Sequence, residues 1–66
     1  MEVLVNGQPR PIAEGTTIER LLGELGLAGK HAAVEVNRQL VPRARHAEFR
    51  LGDGDRLEIV TLVGGG

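Results

Sequence analysis

The sequence predicts a small α+β domain, and three observations support this fold class. Two segments rich in alternating and β-branched apolar residues, 2–6 and 56–62, lie near the two ends of the chain. One stripe of apolar residues with helical spacing lies between them, and turn residues separate the segments. Because 66 residues build only one core, we expect a single domain over residues 1–66, with residues 63–66 as a mobile tail.

The first two strands are predicted to form a β-hairpin. Residues 2–6 read as a strand with its valines on one face. The dipeptide Asn6-Gly7 is then a strong signal for a two-residue hairpin turn. Both prolines of the returning segment, residues 8–12, lack a backbone N–H. This second strand is therefore expected at an edge of the sheet.

A short helix is predicted after the hairpin. Thr16 with Glu19 three residues later is typical of a capping box, in which each side chain pairs with a backbone N–H at the helix start. Gly26 follows where a left-handed residue would end the helix, with Leu27 as its hydrophobic contact. The apolar stripe expected to pack on the sheet has i, i+3, i+4, i+7 spacing and consists of Ile18, Leu21, Leu22 and Leu25.

The second half of the chain supplies the remaining strands. Residues 33–37 and 40–41 are predicted as strands, residues 43–48 as a turn or one helical turn, and residues 52–55 as a tight turn before the last strand. The element order β-β-α-β-β-turn-β is that of the β-grasp, or ubiquitin-like, fold. We expect a mixed sheet of four to five strands on one main helix, with the first and last strands parallel at its centre.

Strand alternation also predicts an apolar cluster on the sheet face away from the helix. If Val3 and Leu57 face the helix, the residues next to them on each strand face outward. The alternative is that these are ordinary surface apolar residues, which are common on proteins. A cluster beside a mobile tail favours a partner-docking surface, and its predicted members are Leu4, Val60 and Leu62.

Composition excludes several classes of function. The chain has no cysteine, which removes disulfides, thiolate metal sites and cysteine nucleophiles and is compatible with a reducing compartment. A net charge of −1 and the absence of Trp and Tyr argue against nucleic-acid binding. No apolar run approaches the ~20 residues of a membrane helix, and no signal sequence precedes the first strand. We expect a cytoplasmic protein with no membrane partner.

The polar side chains do not suggest a self-contained active site. His31 and His46 are expected as surface or loop histidines, and Asp53 and Asp55 as turn residues, because none has metal-ligand spacing. We therefore expect no catalytic residue, no metal and no cofactor bound by the chain itself. A basic run with one acidic residue, Glu48, is either a solvated face or a surface that steers the protein to an acidic partner; it consists of Arg38, Arg43, Arg45 and Arg50.

The most distinctive chemical group is the carboxylate expected at Gly66. Glycine reaches backbone conformations that other residues do not, so the tail formed by Val63, Gly64, Gly65 and Gly66 is thin enough to enter a narrow cleft. The alternative is an ordinary frayed terminus. Transfer of AMP from ATP would turn the carboxylate into a reactive mixed anhydride, and no Cβ would crowd the carbonyl carbon under attack.

Several short motifs extend along the whole chain: VLVNG at 3–7, GTTI at 15–18, VEVN at 34–37, VPR at 41–43, GD at 54–55 and LEIV at 57–60. Two leucines follow the GTTI motif in the predicted helix, and the chain ends in Val63-Gly64-Gly65-Gly66. On these motifs, and most specifically on the ending, the chain resembles the ThiS sulfur carrier proteins of thiamine biosynthesis. One departure is Leu62, where family members often carry an aromatic residue.

The resemblance implies a carrier and co-substrate, not an enzyme. A ubiquitin-activating-like adenylyltransferase, ThiF, would use ATP to adenylate Gly66. Sulfur derived from cysteine through a desulfurase would replace AMP and leave a thiocarboxylate. Thiazole synthase, ThiG, would then receive the sulfur for the thiazole ring.

Three alternatives remain at this point. A related sulfur carrier would serve molybdopterin synthesis or tRNA thiolation, and a ubiquitin-like modifier would join Gly66 to lysines of target proteins. A pure interaction module would make no chemical use of its tail. Short length and the triple glycine favour the ThiS family over the other carriers.

Overall fold

The computed structural model describes residues 1–61 and shows a five-stranded mixed sheet with one helix packed on one face. The spatial order of the strands is β2-β1-β5-β3-β4. This arrangement confirms the predicted α+β, β-grasp architecture. The elements are β1 (Glu2–Val5), β2 (Gln8–Pro11), α1 (Ile18–Glu24), β3 (Ala32–Val36), β4 (Gln39–Val41), a 3₁₀ turn (Arg43–Arg45) and β5 (Arg56–Thr61).

The last strand, β5, lies at the centre of the sheet. It runs parallel to β1, with Leu4 opposite Arg56 and Val5 opposite Leu57. On its other side it pairs antiparallel with β3 over five residue pairs. The predicted parallel pairing of the first and last strands is therefore confirmed. The proline-containing strand β2 lies at an edge, as its missing N–H groups require.

One side of the sheet and one stripe of α1 form the core. Alternate residues of β5 are buried, with Leu57 at 1% and Ile59 at 7% exposure. The predicted apolar stripe of the helix faces them, and Ile18 and Leu21 are completely buried. Because α1 covers only this side, the opposite side of the sheet carries no helix among residues 1–61. The buried apolar residues are Val3, Ile12, Ile18, Leu21, Leu22, Val34, Val36, Val41, Leu51, Leu57 and Ile59.

The helix begins one residue later than the capping box predicted. Thr17 is the N-cap, and its hydroxyl oxygen accepts a hydrogen bond from the Arg20 N–H at 3.2 Å. Thr16 is buried instead, and its hydroxyl donates to the Ala13 carbonyl at 2.6 Å. The predicted pairing of Thr16 with Glu19 is therefore wrong. Either of the two adjacent threonines has the hydroxyl that an N-cap needs. The contacts of Thr16 with Ala13 and Leu51 leave this role to Thr17.

The helix ends as predicted. Gly26 has a φ of 76°, and its N–H donates to the Gly23 carbonyl at 3.1 Å. The Leu27 N–H donates to the Leu22 carbonyl at 2.8 Å. These two bonds define a Schellman motif, which satisfies carbonyl groups that the last helical turn leaves free.

Among residues 1–61, the structure contains no helix with the length and apolar character needed to span a membrane.

Candidate functional site

The predicted covalent site lies beyond the end of β5. Gly66 and the tail residues Val63, Gly64 and Gly65 are outside the described residues, as is the docking residue Leu62. Strand β5 ends at Thr61 in the described part of the chain. The contacts that fix β5 in the sheet are therefore the described features closest in sequence to this site.

The side chain of Asn6 holds β5 on its β1 side. Its Oδ1 accepts a hydrogen bond from the Ile59 N–H at 2.8 Å, and its Nδ2 donates to the Ile59 carbonyl at 3.1 Å. The Asn6 backbone N–H donates to the Leu57 carbonyl at 2.9 Å. At Asn6 the chain turns out of the sheet, so the Asn6 carboxamide takes the place of the backbone groups that a longer β1 would supply. The hydrogen-bond ladder between the parallel strands β1 and β5 is therefore continued by one step.

Asn37 holds the start of β5 from the β3 side. Its Oδ1 accepts from the Arg56 N–H at 3.0 Å, and its backbone N–H donates to the Arg56 carbonyl at 2.7 Å. Its Nδ2 donates to Oδ1 of Asp55 at 3.0 Å. The sequence predicted Asn6 in a turn and Asn37 at the end of a strand, and neither contact to β5 was predicted. The contacts join residues far apart in the chain, which local sequence patterns do not reveal.

Leu4 and Val60, the predicted docking residues within the described part of the chain, lie on the open sheet face, which we define as the side of the sheet away from α1. Leu4 is half-buried, and Val60 is 57% exposed. Leu4 lies opposite Arg56, whereas Val60 lies opposite Ala33 on β3. Since Arg56 and Val60 are four residues apart on one strand, Leu4 and Val60 are separated by roughly 13 Å along β5. They share a face without touching, and their role in docking stays a prediction.

Two glutamates occupy the centre of the open sheet face. Glu35 on β3 and Glu58 on β5 are directly opposite each other in the antiparallel ladder. Side chains at such positions have Cβ atoms about 5 Å apart, and like charges there repel. Glu35 also lies opposite Leu40 on β4, which is 66% exposed. Neither glutamate was predicted as a site residue, although the same strand alternation places both on the outward side.

The remaining polar candidates have structural surroundings. Asp55 accepts from the Gly52 N–H at 2.7 Å, and Asp53 accepts from the Glu2 N–H at 2.8 Å, so both stabilise the predicted turn. His31 is exposed. His46 lies in the loop after the 3₁₀ turn, as one of its two predicted places, but it is buried there and not on the surface, and its Nε2 lies 3.0 Å from the Val41 carbonyl. Within residues 1–61 no group of three potential metal ligands comes together.

The sheet topology and the glycine-rich sequence after β5 define the class of protein as a ubiquitin-like β-grasp domain. The ThiS family model matches residues 3–66, and the chain belongs to the ThiS family. The sulfur carrier protein ThiS of Escherichia coli is 35% identical over 66 residues, with both chains covered completely. A crystal structure of the thiamine biosynthesis protein ThiS from Geobacter metallireducens matches with a TM-score of 0.83 and 32% identity, covering 100% of both chains.

Longer relatives match as well. A thiazole synthase of Paramagnetospirillum magneticum is 44% identical over the full length of this chain. The match covers only 20% of that protein, and a thiazole synthase of Magnetococcus marinus is likewise covered over 20% of its length. The chain therefore spans about a fifth of the length of these two relatives.

Proposed function

We propose that this chain is a sulfur carrier for thiazole formation in thiamine biosynthesis. The observation that carries the proposal is the family match over residues 3–66, which includes the glycine-rich ending. Full-length similarity to a protein named sulfur carrier protein ThiS supports it. The chain itself is the carrier, and partner enzymes supply the catalysis.

The proposed chemistry takes place at the carboxylate of Gly66. A carboxylate oxygen attacks the α-phosphorus of ATP in an adenylyltransferase of the ThiF type, pyrophosphate leaves, and an acyl-adenylate forms. A persulfide on a sulfur donor enzyme, formed with sulfur from cysteine, attacks the adenylate carbonyl and displaces AMP, which leaves an acyl disulfide. A second thiol then attacks the donor's sulfur, forms a disulfide with it and releases the Gly66 thiocarboxylate. Glycine suits both steps because it lacks a Cβ beside the carbonyl carbon and because it passes through narrow channels.

The proposed sulfur acceptor is thiazole synthase, the ThiG enzyme. Two relatives named thiazole synthase contain a region similar to this whole chain within a protein about five times as long. A carrier domain joined to its acceptor enzyme would keep the two at a high effective concentration. This supports a direct partnership between the present chain and a thiazole synthase.

Intact-mass spectrometry tests the proposal. The chain ending at Gly66 is co-produced with its adenylyltransferase and a cysteine desulfurase, and a chain lacking Gly66 serves as the matched control. We expect a mass increase equal to the replacement of one oxygen by sulfur in the first chain and none in the second. Purified thiocarboxylate should then support thiazole formation by thiazole synthase.

Three other results would contradict the proposal. Isopeptide-linked products would indicate a protein modifier, and an unchanged mass would indicate an interaction module. A thiocarboxylate that supports molybdopterin synthesis or tRNA thiolation, but not thiazole formation, would identify a carrier of another pathway.

A further inference from the structure

We propose that a basic cavity on the α1 side of the sheet binds a small organic phosphate, meaning a phosphate monoester with an apolar or aromatic body. The cavity lies between α1, the loop that follows it and the 3₁₀ turn, and it has a volume of about 370 Å³. We define this basic cavity by the apolar residues Leu22, Leu27 and Ala32 and the cationic residues Lys30 and Arg43. Its described lining includes none of the residues predicted for docking or for the carrier chemistry.

The inner wall of the basic cavity is apolar. Leu22 is 8% exposed, and Leu27 and Ala32 are half-buried. Ala32 has the same strand parity as the buried Val34, so it lies on the α1 side and away from the open sheet face. The cavity volume is within the range of roughly 300–1,000 Å³ that small-molecule sites have. An apolar wall of this kind favours a ligand with a hydrocarbon or aromatic body, because binding removes that body from water.

The rim of the basic cavity carries two cations that lack acidic partners. Lys30 and Arg43 are exposed, and over residues 1–61 neither forms an ion pair, not even with Glu19, the acidic residue of the lining. A third basic side chain lies close by, since Nδ1 of His31 is 3.5 Å from a guanidinium nitrogen of Arg43. Two cations match the charge of about −1.5 to −2 that a phosphate monoester carries at neutral pH. A carboxylate would match only one of them.

Hydrogen bonds fix the backbone of both cationic residues before any ligand binds. The Lys30 N–H donates to the Leu27 carbonyl at 3.0 Å, across a turn whose third residue, Gly29, has a φ of 79° as a type II turn requires. The Arg43 carbonyl accepts from the N–H of the buried His46 at 3.0 Å. A ligand therefore has to order only the two side chains, which lowers the entropy cost of binding.

The basic cavity adjoins the end of β5. Ala32 lies opposite Thr61, the last described residue of β5, and residues paired in antiparallel strands have Cα atoms about 4.5–5.5 Å apart. A bound phosphate would therefore lie near the point where the chain continues toward Gly66. Because a peptide carboxylate is a competing occupant at this place, the test includes a carboxylate probe.

An NMR titration of the full chain tests the proposal. The probes are phenyl phosphate, benzoate with the same ring and a carboxylate, and inorganic phosphate without a ring, all at one pH and one ionic strength. The double variant Lys30→Gln with Arg43→Gln removes both cations of the basic cavity. The matched control, Arg38→Gln with Arg50→Gln, makes the same change in net charge at two exposed positions outside the cavity lining.

Phenyl phosphate should shift the amide signals of residues 27–32 and bind with a Kd in the millimolar range, since so small a ligand makes few contacts. Benzoate should bind about tenfold more weakly because it carries less charge. Inorganic phosphate should also bind about tenfold more weakly because it has no apolar body to bury. The test variant should raise the Kd for phenyl phosphate about tenfold, and the control variant should raise it less than about twofold.

Four results would overturn the proposal. Phenyl phosphate that leaves the signals of residues 27–32 unchanged would show that the basic cavity is not its site. Benzoate that binds as tightly as phenyl phosphate would assign the cavity to carboxylates, and inorganic phosphate that does so would show that the apolar wall is not used. Equal losses of affinity in the test and control variants would reveal a general charge effect. None of these results bears on the loading of Gly66 with sulfur, which intact-mass spectrometry tests separately.

Discussion

The two hairpin turns of the sheet share one backbone geometry but differ in what their asparagines contribute to β5. Asn6-Gly7 joins β1 to β2 with φ angles of 50° and 83°. Asn37-Arg38 joins β3 to β4 with φ angles of 51° and 69°. Positive φ at both central residues is the signature of the type I′ turn, whose twist matches that of the paired strands.

The difference lies in how well water could replace each side chain. The Asn37 contacts to Arg56 and Asp55 are exposed, so water can take their place. The Asn6 contacts to Ile59 are partly buried and cover both backbone groups of that residue. Asn37 thus closes a hairpin and stabilises the start of β5. Asn6 closes the other hairpin and also substitutes for a missing β1 residue beside Ile59, near the end of β5 that leads to Gly66.

The largest effect is expected for Asn6→Gly. Glycine keeps the positive φ that the turn requires but removes the carboxamide, which leaves the N–H and C=O of Ile59 without their partner. Unpaired, partly buried backbone groups make the variant less stable by about 2 kcal/mol. Urea unfolding followed by circular dichroism measures this loss, since the chain has no Trp or Tyr for fluorescence. Slow amide exchange at Ile59 in the variant would contradict the assigned role.

A smaller loss is expected for Gly7→Ala. No atom lies within 4 Å of the position a Cβ would occupy at Gly7, so the effect isolates the backbone strain of its positive φ. An L-residue in this region costs about 1–2 kcal/mol. Gly23→Ala is the matched control, because Gly23 lies within α1, has equally open surroundings and should gain about 0.5–1 kcal/mol. If Gly7→Ala and Gly23→Ala changed the free energy of unfolding in the same direction and by the same amount, the positive φ at Gly7 would not strain an L-residue.

Much of this architecture follows from local sequence signals. Asn6-Gly7 predicts its turn because both residues tolerate positive φ, and Gly26 predicts the helix end for the same reason. Strand alternation also places Leu57 inside and Val60 outside, as the structure shows. These features depend on neighbours a few residues away, which a single sequence displays directly.

The features that the sequence did not reveal depend on distant residues. Asn6 and Ile59 are 53 positions apart, and no local pattern indicates that a turn side chain reaches the far strand. His46 is buried because the chain after β4 folds back so that its ring meets the Val41 carbonyl. Leu4 and Val60 were predicted to cluster because alternation defines the face of a residue. Alternation does not define the register that sets their separation.

A moderate loss is expected for Asn37→Gly. The variant keeps the turn conformation and loses the side-chain bonds to Arg56 and Asp55, both of which are exposed to water. Because water restores most of the lost hydrogen bonding, we expect about 0.5–1 kcal/mol, clearly less than for Asn6→Gly. Measurement of both variants under the same urea conditions tests the comparison between the two turns. If Asn37→Gly and Asn6→Gly lowered the free energy of unfolding equally, burial would not be the reason that the two asparagines differ.

The smallest effect, and the only gain among the turn variants, is expected for Arg38→Gly. Arg38 occupies the position that Gly7 holds in the first turn, with a φ of 69° that disfavours a residue with a Cβ. Glycine relieves this strain, but its greater freedom in the unfolded chain offsets part of the gain. We expect a net increase in stability of about 0.5 kcal/mol, seen as a higher urea midpoint at unchanged slope. Arg38→Lys, which keeps the charge and the strain, is the control and should leave the midpoint unchanged. A lower urea midpoint for Arg38→Gly would show that the positive φ of Arg38 does not strain the turn.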